Sequence, residues 1–323
     1  MNVAAAARVL SRDDAPGRLC PVSYRYPPAS LDREPEIVAD ALYVAGGLYG
    51  NVEALACLET LVAAEPGAVL AFNGDFHWYD VADADFAAIE AGVSKHPRLR
   101  GNVETEIAGE DTGAGCGCAY PADVSDAVVD RSNEILARLR ETARGLPGAR
   151  ESLAALPMNL VARVGDARVA LVHGDAASLA GWGFAHDALD DPAHRRWIES
   201  VARAARADVF ACSHTCLPAI RRFEAEAGPF AIANNGATGM PNFRGTRFGI
   251  VTRIARSPSP HPALYGTAVA GVRVDAIAVR YDADAFRRRF LAAWPEGSAA
   301  HASYFGRLER GTDFTQDRAQ PPV

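Results

Sequence analysis

Residues 42–80 read LYVAGGLYGNVEALACLETLVAAEPGAVLAFNGDFHWYD, and this stretch decides the fold. Its two apolar ends predict buried strands, and the middle, from Val52 to Val62, has apolar residues at helical spacing. A strand–helix–strand unit pairs two parallel strands. Ligands of parallel α/β sheets bind outside the carboxyl ends of such strands. The first strand ends in Gly46-Gly47 and the second in Asn73-Gly74-Asp75, so Asp75 is the first residue that we predict to be functional.

The composition is that of an ordinary globular protein and disfavours several classes of protein function and location. The 323 residues are 49% hydrophobic and 23% charged, with a net charge of −7. This balance disfavours a nucleic-acid-binding or anionic-membrane-binding surface. The six cysteines do not form the dense framework of a small secreted scaffold. The N-terminus is a poor signal peptide, and no run of about 18 apolar residues predicts a membrane span. We therefore expect a cytoplasmic protein with reduced thiols; the oligomeric state stays open.

Apolar periodicity predicts the organisation of the rest of the chain. The longest amphipathic helix is predicted over residues 123–144, a β-hairpin over 159–172, and a last helix near 283–294. No internal repeat or linker divides the chain, so we expect one domain. The expected parts are an N-terminal arm (1–36), the domain itself (37–285, with a helical insertion at about 105–157), and the end of the last helix with a polar tail (286–323).

Metal-capable side chains stand at the ends of successive predicted strands. They are Asp75, Asn102, His173 and His214. A single His at a strand end is more often structural than a metal ligand. Four metal-capable side chains with unrelated roles in the core or at the surface would, however, not be expected at the same edge of a sheet. A carboxylate, an amide oxygen and two imidazoles suit a divalent transition metal such as Mn, Fe or Zn. The sequence therefore predicts a metal site with these four ligands.

The order of these strand ends resembles that of the calcineurin-like metallophosphoesterases. The shared motifs are Gly-x-Tyr-Gly-Asn (47–51), Gly-Asp (74–75), Gly-Asn-Val-Glu (101–104), Val-His-Gly-Asp (172–175) and Ser-His-Thr-Cys (213–216). The segment 234–241 is also similar to one in the small bacterial phosphodiesterase branch, so the resemblance spans about residues 41–245. Each motif is short, and the specificity lies in their order and spacing. The resemblance implies an α/β fold of two packed mixed β-sheets flanked by helices, a four-layer αββα sandwich.

The departures from the family pattern fall on one half of the site. The resemblance implies two metal ions that share Asp75, and the other ligands of the second ion are all present. The ligands that bind only the first ion are replaced: Gly47 stands in place of an Asp, Tyr49 in place of a His and Cys216 in place of the final His. Val103 stands where the family has its catalytic His. Random loss of metal ligands would be expected to affect both halves of the site.

Three interpretations of the altered site are open. In the first, one ion remains on the four retained ligands and activates its own water, whose pKa a divalent ion lowers to about 7. In the second, a rebuilt two-ion site recruits Tyr49 and Cys216 as replacement ligands, with His77 as a further candidate. In the third, the fold keeps a structural ion or none and binds a partner or a small phosphate without turnover.

Other residues are weaker candidates. His77 could act as general acid, because alternate side chains of an extended segment point the same way and His77 lies two residues after Asp75; a hydrogen-bonded loop histidine is the alternative. Glu104 matches an acidic residue of the family's catalytic motif and is placed behind the ligands. Trp182 could line the substrate pocket or pack in the core. Arg244 and Arg247 could bind phosphate or lie on the surface.

We therefore expect a metal-dependent hydrolase of a phosphate ester or phosphoanhydride. Its partner would be a small phosphorylated substrate, and its cofactor one or two divalent transition ions (Mn, Fe or Zn). The alternative is a non-catalytic metallophosphoesterase-like protein that acts as a binding or regulatory module.

Overall fold

The computed structural model describes residues 15–110 and 113–321. Within these ranges the strands form two six-stranded mixed sheets. The first sheet has the order β11-β12-β10-β2-β3-β4 and the second the order β1-β5-β6-β7-β9-β8. The strands are β1 Ile37–Ala39, β2 Ala41–Ala45, β3 Ala68–Asn73, β4 Arg98–Leu99, β5 Asn159–Val164, β6 Ala167–Val172, β7 Val209–Cys212, β8 Pro218–Phe223, β9 Phe230–Asn235, β10 Gly249–Ala255, β11 Ala263–Val269 and β12 Val272–Val279.

Helices cover the outer face of each sheet. They are α1 Val52–Ala63, α2 Asp83–Val93, α3 Asn102–Ala108, α4 Asp126–Gly145, α5 Ala149–Ala154, α6 His186–Asp190, α7 Arg195–Ala205, α8 Ala283–Ala293, α9 Ala299–Arg310 and α10 Gln316–Ala319. Short 3₁₀ helices at Val22–Tyr24 and Pro28–Leu31 precede β1. Of the helices described, none is long and apolar enough to cross a membrane.

Three large hydrophobic clusters form most of the core, and their positions explain the layering. Side chains such as Leu42 and Ile254 of the first sheet and Leu171 and Ala211 of the second form the core between the sheets. A second cluster joins the outer face of the first sheet to α1, α2, α4, α8 and α9, and a third joins the second sheet to α6 and α7. The layers are therefore helix, sheet, sheet and helix, which confirms the predicted αββα sandwich.

The parallel pairs place the strand ends that matter for the site. Strand β3 lies beside β2 and β4 in one sheet, and β7 lies beside β6 and β9 in the other, all in parallel. The predicted strand–helix–strand unit is present as β2, α1 and β3. The region predicted as a polar tail contains α9 and α10, which sequence reasoning missed.

Buried ion pairs and hydrogen bonds connect three strands of the first sheet on its outer face. Arg253 of β10 pairs in register with Tyr43 of β2 and with Asp275 of β12. Glu65, just after α1, accepts hydrogen bonds from the Arg253 guanidinium at 2.5 and 2.8 Å and from the Tyr43 hydroxyl at 2.6 Å. Arg253 is fully buried, so Glu65 and Asp275 balance a charge that has no access to solvent.

We expect Glu65→Gln to destabilise the fold by roughly 3 kcal/mol, because it leaves buried Arg253 without its bidentate partner. Hydrogen bonding from Arg253 outweighs burial and holds the pKa of the Glu65 carboxyl below its ordinary value of 4.5. A carboxyl with a lowered folded pKa stabilises fully above its unfolded pKa and loses that contribution as the pH falls. Urea unfolding should therefore show a gap between parent and variant at pH 7 that narrows below about pH 4.5.

The control is Glu59→Gln on α1. The Glu59 carboxylate is 3.8 Å from the ammonium group of Lys95 in an exposed pair, so its loss should cost less than about 1 kcal/mol. Equal stability of Glu65→Gln and Glu59→Gln would contradict the buried role of Glu65.

Candidate active site

Four strand ends from the two sheets bring the predicted ligands together. Asp75 follows β3, Asn102 begins α3 after β4, His173 follows β6 and His214 follows β7. The Nε2 atom of His173 lies 3.3 Å from Asp75 Oδ1, 3.1 Å from Asn102 Oδ1 and 3.2 Å from His214 Nδ1. The candidate ligand atoms of Asp75, His173 and His214 all lie within 4.8 Å of one another. All four side chains are buried.

Backbone carbonyls behind the site orient three of these side chains. His173 Nδ1 lies 2.8 Å from the carbonyl oxygen of Asn73, and His214 Nε2 lies 3.0 Å from that of Cys118. A carbonyl only accepts, so each of these ring nitrogens carries a proton, and the other ring nitrogen, which faces the site, offers a lone pair when the imidazole is neutral. The amide nitrogen of Asn102 donates to the carbonyl of Cys116 at 2.9 Å, which turns Oδ1 inward.

The chemistry of the converging atoms fits a cation. A carboxylate oxygen, an amide oxygen and two imidazole nitrogens converge here, a set that suits a divalent transition ion. Burial, reinforced by His173, lowers the pKa of His214 to about 3, which keeps this imidazole neutral. Burial opposes charge on His173, but Asp75 outweighs it and raises the pKa of His173. The residues present therefore fit the metal that the sequence predicts.

Glu104 holds the turn that presents Asp75. Its buried carboxylate accepts the backbone N–H groups of Asp75 (2.8 Å), Phe76 (3.0 Å), His77 (3.3 Å) and Gly101 (2.7 Å). These bonds tie the turn after β3 to the turn after β4. Asp75 has a left-handed φ of 53°, a conformation that is uncommon for non-glycine residues, although Asp tolerates it better than most. A Cβ on Gly101 would lie 2.2 Å from Asp75 Oδ1, so this approach requires glycine.

Tyr49 and Cys216 occupy the other half of the predicted site. The Tyr49 hydroxyl lies 2.9 Å from the Cys216 sulfur, and both residues have left-handed backbone, with φ values of 55° and 60°. A Cβ on Gly47 would lie 3.0 Å from the Tyr49 ring, so this ring covers the position where the family has its Asp. Burial raises the pKa of Tyr49 and of Cys216. Both groups therefore stay protonated and pair with each other.

A cavity of about 230 Å³ opens beside the ligands. Asp75, Asn102 and His214 are among the residues that line it. Its only lining cation among the described residues is Arg307 of α9. The remaining lining residues are mostly aromatic or aliphatic: Tyr49, Trp78, Tyr79, Val103, Cys118, Tyr120, Val124, Val128, Trp182, Thr215, Cys216, Met240 and Tyr304.

Solved structures with a related fold settle the architecture. A hypothetical protein of Pyrococcus horikoshii has 19% identity and a TM-score of 0.57, with 86% of this chain and 100% of that chain covered. A metallophosphoesterase of Sphaerobacter thermophilus has 15% identity and a TM-score of 0.52, with 85% and 100% covered. The chain has the metallophosphoesterase fold. No protein-family model and no curated protein matches the sequence. At these identities the likeness establishes the fold, and the activity has to be argued from the site.

Among the predicted site residues, five do not line the cavity: His77, Glu104, His173, Arg244 and Arg247. His77 is fully buried with Nδ1 2.6 Å from Asp80 Oδ2 and Nε2 3.4 Å from Glu90 Oε2, so neither ring nitrogen is available as the predicted general acid. Arg244 pairs with Asp313 and Arg247 with Asp284 at the surface. These two arginines are therefore not placed to bind a phosphate at the site.

Trp182 does line the cavity, and its indole N–H donates to the carbonyl of Cys118 at 3.1 Å. Glu104 is not among the lining residues and acts through Asp75 rather than on a substrate. Cys116 and Cys118 contribute backbone carbonyls behind the ligands, a role that their Cys-Gly-Cys spacing does not reveal.

Sequence reasoning missed the contribution of α9 to the cavity. Tyr304 and Arg307 line it from this helix. The signal was present in the spacing: Ala300, Tyr304, Arg307 and Leu308 follow an i, i+4, i+7, i+8 pattern that places them on one helical face.

Proposed function

We propose that this protein is a metal-dependent hydrolase of a phosphate ester or phosphoanhydride that works with one divalent transition ion. The observation that carries the proposal is the convergence of Asp75 Oδ1, Asn102 Oδ1 and His214 Nδ1 on His173 Nε2, beside a cavity that Asp75, Asn102 and His214 line. When bound there, a divalent ion would polarise a phosphoryl oxygen and activate a water molecule as a Lewis acid.

Arg307 would bind the anionic end of the substrate. Its Nε and Nη2 atoms donate to the carbonyls of Pro241 and Cys216, which fixes the guanidinium at the cavity wall. Within residues 15–110 and 113–321, Arg307 forms no ion pair with a carboxylate, and its hydrogen bonds go from Nε and Nη2 to two backbone carbonyls and to Asn242 Oδ1. A positioned guanidinium of this kind suits a phosphate oxygen. With His77 turned away, we infer that water protonates the leaving group.

The Tyr49–Cys216 pair supports one ion rather than two. Cys216 is not part of the cluster formed by Asp75, His173 and His214, and its thiol contacts the Tyr49 hydroxyl and the His214 carbonyl instead. A non-catalytic binding protein is the second candidate, because Val103 lines the cavity where the family has its catalytic His.

Metal content and turnover test the proposal together. Protein purified without chelators should carry about one transition ion per chain by elemental analysis. With added Mn it should hydrolyse aryl phosphomonoesters or phosphodiesters, and EDTA should remove the activity. An ion without turnover on either ester class would favour the non-catalytic candidate, and the lack of any bound ion would contradict the metal site.

Restoring the family ligands should restore a second ion. In the triple variant Gly47→Asp, Tyr49→His, Cys216→His, removal of the Tyr49 ring frees the space over residue 47. Asp tolerates the left-handed φ of 63° better than most residues do. We expect the metal content to rise from about one to about two ions per chain. Gly47→Asp alone is the control and should stay near one ion, because Tyr49 still covers the position. Two ions in the parent would contradict the one-ion proposal.

A further inference from the structure

We infer that the cavity takes a phosphate ester whose organic group is small and apolar, such as a benzyl or other aromatic alcohol, rather than a sugar or nucleoside. This inference rests on the proposed function for the phosphate and extends it to the group that carries the phosphate. The observation behind it is the wall around the ligands, which is built mainly from aromatic and aliphatic side chains.

Four polar groups in the wall, those of Tyr49, Tyr120, Trp182 and Thr215, are already paired within the protein. The Tyr49 hydroxyl contacts the Cys216 sulfur, and the Tyr120 hydroxyl lies 3.1 Å from the Ser132 hydroxyl. The Trp182 N–H donates to the Cys118 carbonyl, and the Thr215 hydroxyl accepts from Asn234 at 2.8 Å. These residues therefore present rings and methyl groups to a ligand, while their hydrogen-bonding capacity is largely used.

A sugar or a nucleoside would be a poor occupant of such a wall. Each hydroxyl that leaves water without a partner costs roughly 1–3 kcal/mol. Val124, Val128 and Met240 have no side-chain group that could compensate this cost. An aromatic ring has no such cost and gains from contact with Trp182 and the tyrosines. The volume of about 230 Å³ also favours a small organic group.

The anionic end of the substrate has a separate place. Arg307 lies in the same lining as Asp75, Asn102 and His214, so the charged and metal-capable groups and the apolar wall share one cavity. A phosphate monoester of an apolar alcohol has the matching distribution, with its charge at one end and its apolar surface at the other.

Binding of non-hydrolysable phosphonates tests the inference independently of turnover. Calorimetric titration of the Mn-loaded and metal-free protein would compare benzylphosphonate with 2,3-dihydroxypropylphosphonate, which carry the same charged group. We expect benzylphosphonate to bind at least about tenfold more tightly than 2,3-dihydroxypropylphosphonate. Equal affinities, or tighter binding of the dihydroxypropyl compound, would overturn the inference.

Two variants locate the preference. Val128→Asn puts an amide on the half-buried face of α4; it should reduce the preference for benzylphosphonate to less than about threefold and leave the affinity for the polar compound unchanged. Arg307→Met should lower the affinity for both compounds by a similar factor, since both present the same anion.

A benzyl preference in a protein without turnover would refute the hydrolase while supporting the cavity assignment, so the two failures are distinguishable. An unchanged preference in folded Val128→Asn would contradict the role of this wall.

Discussion

Replacing Asp75 with Asn should remove both the metal ion and the turnover. Asp75 is the only anionic member of the four ligands, and its Oδ1 atom lies 3.3 Å from His173 Nε2. Asn keeps the size and the oxygen that accepts the Val103 N–H at 3.2 Å, so the turn should persist while the charge that attracts the cation is lost. We expect metal content to fall well below one ion per chain and turnover to fall by more than the roughly 100-fold that loss of a supporting residue gives.

The matched control is Asp166→Asn. Asp166 is exposed in the turn between β5 and β6, at the opposite end of β6 from His173. This variant should keep the parent's metal content and rate. Elemental analysis, turnover of an aryl phosphate with Mn and circular dichroism should be measured on the same preparations. If folded Asp75→Asn matched the parent in both metal and rate, the site would not be the one that acts.

The convergence of the candidate ligands could be predicted from the sequence because strand ends are local signals. Asp75, His173 and His214 each follow a short apolar run, and parallel strands place their carboxyl ends on a common edge. Strand ends therefore bring together residues that are 41 to 139 positions apart in the chain, as the distances around His173 confirm.

The position of His77 could not be predicted because a local assumption failed. The alternation argument requires an extended segment. The backbone at Asp75 is instead left-handed, with a φ of 53°, and the chain turns there. The His77 ring consequently stacks on Phe86 at 3.9 Å and contacts Asp80 and Glu90. The distance between two residues in the sequence does not predict which way their side chains point once the backbone between them is no longer extended.

The cavity wall depends on long-range packing that no local pattern shows. Arg307 reaches the cavity because α9 packs beside α4, more than 150 residues earlier in the chain. Arg247 is close to a motif in sequence, yet its guanidinium is taken by Asp284 at 2.7 Å. Which arginine meets a phosphate is therefore decided by the neighbouring carboxylates and helices, and these are known only from the fold.

Glu104→Gln should be the most destabilising single change behind the site. The carboxylate accepts four backbone N–H groups, two on each oxygen. An amide has one accepting oxygen, so in either orientation two buried N–H groups lose their acceptor and face an N–H₂ group. At roughly 1–3 kcal/mol for each unsatisfied donor, the expected loss is about 2–6 kcal/mol. Urea unfolding of the metal-free protein measures it directly.

The same change should weaken metal binding, although Glu104 is not a ligand. Three of the four N–H groups belong to the turn that presents Asp75, so loss of their acceptor lets this left-handed turn relax. We expect about a 10–100-fold lower Mn affinity in folded Glu104→Gln. Glu134→Gln, on the exposed side of α4, is the control and should change neither property. A Glu104→Gln variant that unfolds like the parent would show that the turn is held by other contacts; a parent-like Mn affinity would separate the fold of the turn from the geometry of the ligands.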